Sequence, residues 1–175
     1  MSVLTDVHSS TYDLDWYQNQ AMTLAVYHKE RAIAYPCLGL VEEVGELLAC
    51  EIADHDALIK EMGDVMWYAS ALCSDLGIKL NEAWANPKVQ MIPDTEALYQ
   101  NAFKCAGRVK KILRGDANRE EKVLEVRGLV GDLVRRIEVL AAKYDSSLEE
   151  VCETNLDKLF DRKDRGVLKG DGDNR

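Results

Sequence analysis

Apolar residues recur every three or four positions along almost the whole chain, as at Leu40, Val44 and Leu47. This spacing is typical of one face of an α-helix. The pattern predicts helices at about residues 14–29, 38–55, 57–76, 95–114, 119–144 and 147–162. The three prolines fall between these segments, and no Asn-Gly or Asp-Gly turn joins two alternating runs. The predicted fold class is therefore all-α.

The second half of the sequence resembles the first. Glu61-Met-Gly-Asp64 aligns with Leu129-Val-Gly-Asp132, and the segments that follow, 76–83 and 144–151, also match. Such similarity predicts an internal repeat, although amphipathic helices also resemble each other by chance. We expect two fused helical repeats, residues 1–86 and 94–175, that form one compact unit with a connector between them.

Composition and net charge disfavour a membrane-spanning, a disulfide-bonded and a nucleic-acid-binding protein. In these 175 residues no apolar run approaches the roughly 20 residues that cross a bilayer. The five cysteines lack the paired spacing of a zinc site or a disulfide framework, which favours a reducing, cytoplasmic location. A net charge of −9 disfavours binding to nucleic acids or anionic membranes.

Two acidic pairs carry the candidate chemistry. Glu43 and Glu46 are three positions apart, as are Glu61 and Asp64, so each pair lies on one helix face. The short segment between the pairs allows an antiparallel helix pair, in which all four carboxylates converge. Two like charges 4 Å apart cost about 4 kcal/mol at an effective dielectric of 20. Mg²⁺, which prefers oxygen ligands and retains waters, relieves this repulsion and leaves room for phosphates.

A glycine precedes the second acid of each pair, at Gly45 and Gly63. A glycine inside a helix costs about 1 kcal/mol relative to alanine. Close helix approach would offset that cost, so we expect both glycines to draw the carboxylates together. The alternative is that acidic pairs simply decorate solvated helix faces. Two matched pairs with matched glycines favour a metal site.

Three motifs of the chain resemble those of the MazG-type all-α nucleoside triphosphate pyrophosphohydrolases. The motifs are Glu43-Val-Gly-Glu46, Glu61-Met-Gly-Asp64 and a C-terminal segment that begins at Asn155-Leu-Asp-Lys-Leu. The resemblance implies a MazG-like helical bundle that hydrolyses a nucleoside triphosphate to the monophosphate and pyrophosphate. It also implies Mg²⁺, which Mn²⁺ can replace, bound by four carboxylates: Glu43, Glu46, Glu61 and Asp64.

The same resemblance assigns roles to other residues. Glu42, or a carboxylate of the metal cluster such as Glu43, would orient or deprotonate the attacking water, although Glu42 also reads as an exposed helix residue. Tyr68 would contact the nucleotide, and Asn155, Lys158, Arg162 and Arg165 would bind its phosphates. The base is not identified by sequence. Candidates for contacting it, each equally plausible as a core residue, are Trp16, Tyr17, Gln18, Tyr27 and Trp67.

The second half departs from the family pattern. Its first acidic pair is replaced by Cys105 and Arg108 in one alignment, or by Asn101 and Lys104 in another. We therefore expect one working metal site per chain, and a homodimer that supplies what four separate subunits would. Two alternative functions are a non-catalytic helical scaffold and a phosphoribosyl-ATP pyrophosphohydrolase.

Overall fold

The chain folds into helices throughout the part that the structure describes, residues 12–85 and 95–168 of a computed structural model. Those residues contain a 3-10 turn at Lys29–Arg31 and no strand, which confirms the all-α prediction. The helices are α1 (Leu14–Met22), α2 (Ala34–Ala49), α3 (His55–Asp75), α4 (Leu80–Ala85), α5 (Thr95–Arg114), α6 (Arg119–Lys143) and α7 (Leu148–Asp164). The expected connector at residues 86–94 lies outside the described residues.

Three of the longer helices begin at polar caps. The side chains of Asp54, Asn118 and Ser147 each accept a hydrogen bond from the backbone N–H three residues later. These bonds satisfy donors that a helix leaves without a partner in its first turn. They start α3, α6 and α7 close to the predicted positions.

The first predicted helix, 14–29, is wrong beyond Met22. The Thr23 hydroxyl donates a hydrogen bond to the Gln20 carbonyl at 2.7 Å, and the Thr23 N–H bonds the same oxygen at 3.0 Å. These contacts close the last turn tightly and end α1. The six-residue helix α4 was not predicted, because it is too short to show a helical period.

Asp75 fixes the loop between α1 and α2. Its carboxylate accepts hydrogen bonds from the Tyr27 hydroxyl at 3.2 Å and from the Ile33 N–H at 2.7 Å. Ile33 has φ 66° and ψ −51°, and the Ala34 N–H bonds the Ala32 carbonyl across it. This is a γ-turn of the strained kind. The Asp75 bond therefore holds the chain in the conformation that directs it into α2.

Two helix pairs build the core. Helix α2 packs along α3, α5 packs along α6, and α2 crosses α5 to join the two pairs. Helix α7 covers α3, α4 covers α6, and α1 contacts α3, α4 and α7. The buried side chains form one continuous apolar cluster, so the two halves share a core. None of the described helices is long and apolar enough to span a membrane.

Equivalent positions of the two halves exchange equivalent contacts. Gly63 of α3 lies against Val151 and Asn155 of α7, whereas Gly131 of α6 lies against the backbone of Ala83 in α4. In the alignment of the two halves, Gly131 corresponds to Gly63, and Val151 corresponds to Ala83 by the same offset. Such reciprocal contacts are expected where two related halves face each other across an axis.

Gly45, by contrast, has open space around it, and Gly63 approaches α7 instead of α2. The prediction that both glycines draw α2 and α3 together is wrong.

A pair of glycine substitutions tests the packing of the second half. In Gly131→Ala the new methyl group would overlap the Ala83 carbonyl, so we expect a loss of about 1–3 kcal/mol in the free energy of unfolding. Gly107→Ala is the matched control, because it has open space and gains up to about 1 kcal/mol from helix propensity. Urea denaturation measures both. Equal stability changes in the two variants would contradict the packing at Gly131.

Candidate metal and nucleotide site

Three carboxylates converge on the pair α2–α3. Glu43 and Glu46 stand one turn apart on α2, and Glu61 faces them from α3. One carboxylate oxygen from each lies within 4.8 Å of the other two. Glu46 is exposed, whereas the Oε2 atoms of Glu43 and Glu61 are shielded from solvent. In the described ranges no other group of His, Cys, Asp or Glu side chains converges in this way.

The chemistry of these donors fits a hard divalent cation. Carboxylate oxygens are ligands that Mg²⁺ and Mn²⁺ accept, and three of them close together repel one another without a counterion. The open side at Glu46 leaves space for water or phosphate oxygens. The residues present therefore fit the metal that the sequence predicts.

Asp64, the fourth predicted ligand, is held by α7. It is buried one turn beyond Glu61, and the Lys158 ammonium lies 2.6 Å from its Oδ1 and 2.5 Å from its Oδ2. The Asn155 amide donates a further hydrogen bond to Oδ1 at 2.9 Å. Asp64 thus stands apart from the group of three and carries a cationic partner of its own.

Asn155 is in turn held by α1. The Tyr17 hydroxyl donates a hydrogen bond to Asn155 Oδ1 at 2.9 Å, and both side chains are almost completely buried. Burial, and secondarily the nearby Cys152 and Asp64, raise the pKa of Tyr17 well above its ordinary value. The hydroxyl therefore remains a proton donor at physiological pH. The sequence predicts Tyr17 only as a base-contacting or core residue, since nothing in the sequence links it to Asn155 before folding.

The remaining basic candidates on α7 have different surroundings. Arg162 is half-buried one turn beyond Lys158. Arg165 is exposed just past the helix end and forms an ion pair with Asp161 at 2.7 Å. Asn155, Lys158 and Arg162 thus follow one face of α7, whereas Arg165 lies beyond it. Their phosphate-binding roles stay predictions.

An aromatic cluster borders the carboxylates. The ring of Tyr68 lies on Gly39 of α2, and its hydroxyl is 3.4 Å from that of Tyr35. Tyr27 and Trp67 complete the cluster through edge and tilted ring contacts. Burial, the Tyr35 hydrogen bond and then the negative charges of the neighbouring glutamates, Glu43 and Glu42, raise the pKa of Tyr68. Tyr68 is therefore close both to these glutamates and to the other rings of the aromatic cluster.

The other candidates for base contact lie elsewhere. Gln18 is buried and bridges the start of α4, where it donates to the Ile78 carbonyl and accepts from the Leu80 N–H, each at 2.9 Å. Trp16 is 44% exposed on the outer side of α1. Of the five candidates, Tyr27 and Trp67 alone stand in the cluster with Tyr68.

The second half carries ion pairs in place of converging carboxylates. Arg108 of α5 pairs with Glu125 of α6 at 2.6 Å, and Lys122 contacts the same glutamate. Asp132 is buried in α6, and Leu129, one turn earlier, occupies the position that corresponds to Glu61. Among the described residues of this half no carboxylate group suits a metal.

Comparison with known proteins agrees with this geometry. The MazG nucleotide pyrophosphohydrolase domain matches residues 36–90, which include most of α2 and all of α3 and α4. A protein of Mycobacterium phage L5 named Gene 37 protein is 40% identical over 83 residues, which make up 46% of this chain and 73% of the phage protein. No solved structure matches the chain significantly. The three converging carboxylates thus lie within the segment that matches the MazG domain, and the chain belongs to the MazG nucleotide pyrophosphohydrolase family.

Proposed function

We propose that this chain hydrolyses a nucleoside or deoxynucleoside triphosphate to the monophosphate and pyrophosphate, with Mg²⁺ as cofactor. The observation that carries the proposal is the convergence of Glu43, Glu46 and Glu61 within the segment that matches the MazG domain. Such a reaction would control the nucleotide pool, and we assign it to the cytoplasm because the five cysteines lack the paired spacing of a disulfide framework.

Glu43, Glu46, Glu61 and Asp64 would hold the metal in this proposal. When bound, Mg²⁺ neutralises the phosphate chain, lowers the pKa of a water and stabilises the departing pyrophosphate, and Mn²⁺ can take its place. Asp64 differs from the other three carboxylates because it is paired with Lys158. Binding a cation at Asp64 would release that ammonium, which is then available to the substrate phosphates.

The remaining residues bind substrate or move a proton. Glu42 is exposed beside Glu43 on α2, and either carboxylate would orient the water that attacks the α-phosphorus. Tyr68 would contact the nucleoside at the border of the aromatic cluster. Lys158, Arg162 and Arg165 would bind phosphates, with the arginines able to present two donors to one phosphate group. Because Asn155 is engaged by both Tyr17 and Asp64, a direct phosphate contact is its less favoured role.

We further propose that the chain is a fused pseudo-dimer with one working site and that two chains form a homodimer. The reciprocal contacts of Gly63 and Gly131 support related halves. The Arg108–Glu125 pair supports the loss of metal binding in the second half. A non-catalytic scaffold would have no need for the converging carboxylates, and nothing observed favours a phosphoribosyl-ATP substrate.

Removing one carboxylate should abolish turnover without unfolding the chain. In Glu46→Gln and Asp64→Asn we expect activity to fall by at least about 100-fold, because direct ligands contribute no less than the outer groups that orient them. Mg²⁺ should raise the melting temperature of the wild type but not that of Glu46→Gln. Glu120→Gln, an exposed acid at the start of α6, is the control and should keep full activity. Normal turnover by Glu46→Gln at saturating substrate would refute the site.

The products distinguish this activity from other phosphohydrolases. With a panel of canonical and deoxy nucleoside triphosphates, we expect pyrophosphate and monophosphate to appear together and no diphosphate to accumulate. Ion-exchange chromatography of timed samples measures all three nucleotide forms, and the panel identifies the preferred base. Release of orthophosphate with a diphosphate would assign the chain to a different class of enzyme.

Metal stoichiometry and mass test the pseudo-dimer. We expect one metal-binding site per chain, because the second half retains Asp132 but has Leu129 at the position that corresponds to Glu61. We also expect the mass in solution to be that of two chains. Titration with Mn²⁺ combined with native mass spectrometry measures both quantities. Equal metal occupancy of the two halves would contradict the single site, and a fully active monomer would contradict the dimer.

A further inference from the structure

A buried chain of hydrogen bonds runs from α1 to the fourth carboxylate. The Tyr17 hydroxyl donates to Asn155 Oδ1, and Asn155 Nδ2 donates to Asp64 Oδ1, with both distances 2.9 Å. The exposed fractions are 0% for Tyr17, 1% for Asn155 and 7% for Asp64. Water therefore cannot replace either bond, and each group depends on its protein partner.

The order of these bonds decides how the Asn155 amide is oriented. An amide has a donor end and an acceptor end, and the Tyr17 hydroxyl occupies the acceptor end. The donor end must then point to Asp64. Gly63 provides the room, because a methyl group at that position would lie 2.8 Å from Asn155 Cβ. The amide is thus fixed both by a hydrogen bond and by packing.

The two oxygens of Asp64 are used differently. Asn155 binds Oδ1, and the Lys158 ammonium, which also touches Oδ1, lies 2.5 Å from Oδ2. A positive charge is therefore already accommodated at Oδ2. Carboxylates that bind metals are commonly oriented by a hydrogen bond from a neighbouring group, and loss of that neighbour weakens metal binding.

From this geometry we infer that Tyr17 and Asn155 are positioning residues that orient the Asp64 carboxylate for metal binding. The inference rests on the proposed metal-dependent function and names two residues outside the segment that matches the MazG domain. Tyr17 acts through Asn155 and touches neither metal nor substrate. If the hydroxyl is removed, the amide loses its fixed orientation and can turn its oxygen towards Asp64, which repels the carboxylate.

The test measures Mn²⁺ affinity of the nucleotide-free protein by electron paramagnetic resonance. We expect Tyr17→Phe to weaken Mn²⁺ binding about 10-fold, as loss of an outer-shell partner does. Asn155→Ala should weaken it at least as much. Because Tyr17 acts only through Asn155, the double variant should bind Mn²⁺ no more weakly than Asn155→Ala alone.

Tyr12→Phe is the matched control. Its hydroxyl also bonds α7 from the N-terminal side, to Glu153 at 3.0 Å, whereas the α7 side chains that bond Asp64 are Asn155 and Lys158. We expect the Mn²⁺ affinity of Tyr12→Phe to equal that of the wild type. Metal-free melting temperatures of all variants separate folding effects from binding effects.

The outcomes distinguish the relay from the metal site itself. A lower melting temperature in Tyr17→Phe with unchanged Mn²⁺ affinity would overturn the relay and leave Tyr17 a structural residue. Additive losses in the double variant would overturn it as well. Should Tyr17→Phe fail to fold, Asn155→Ala carries the test, and normal affinity there overturns the relay. Absence of Mn²⁺ binding by the wild type would overturn the proposed function, and the relay with it.

Discussion

The close approach of α7 to α3 at Gly63 is the constraint on which the candidate site depends. Without a side chain at that position, Asn155 can lie directly against α3 and reach Asp64 together with Lys158. The same approach seats α7 against Tyr17 of α1. One missing methyl group thus allows three helices, α1, α3 and α7, to meet around a buried acid.

Charge is divided unevenly around this contact. Glu43, Glu46 and Glu61 converge at a partly open surface, where a divalent cation and its waters can enter. Asp64 is buried and has Lys158 as its counterion. A buried acid without a cationic partner would be strongly unfavourable, whereas a group of acids at a partly open surface is better tolerated because water solvates part of it. The protein therefore neutralises internally the most buried of the four predicted metal ligands.

The parts that sequence predicted well are those that local spacing determines. Glu43 and Glu46 share a helix face by periodicity, and the short connection through Asp54 brings Glu61 opposite them. The Asp64–Lys158 pair could not be predicted, because α3 and α7 are far apart in sequence and one chain alone does not reveal which faces pack. The prediction for Gly45 is wrong for the same reason, because the sequence does not distinguish a glycine in open space from a glycine that allows two helices to pack closely. The end of α1 at Met22 depended on a single threonine hydroxyl, which carries no periodic signal.

Helix α7 has a further consequence for how the protein is made. The ribosome synthesises α2 and α3 long before α7. The three converging glutamates are therefore present while α7 does not yet cover Gly63 of α3. Domains tend to fold from the N-terminal side during synthesis, yet here the groups that hold Asp64 come from the last described helix. Until α7 docks, Asp64 lacks its amide and its counterion. The surroundings of Asp64 are therefore completed late, only after α7 has been synthesised and has packed against α3.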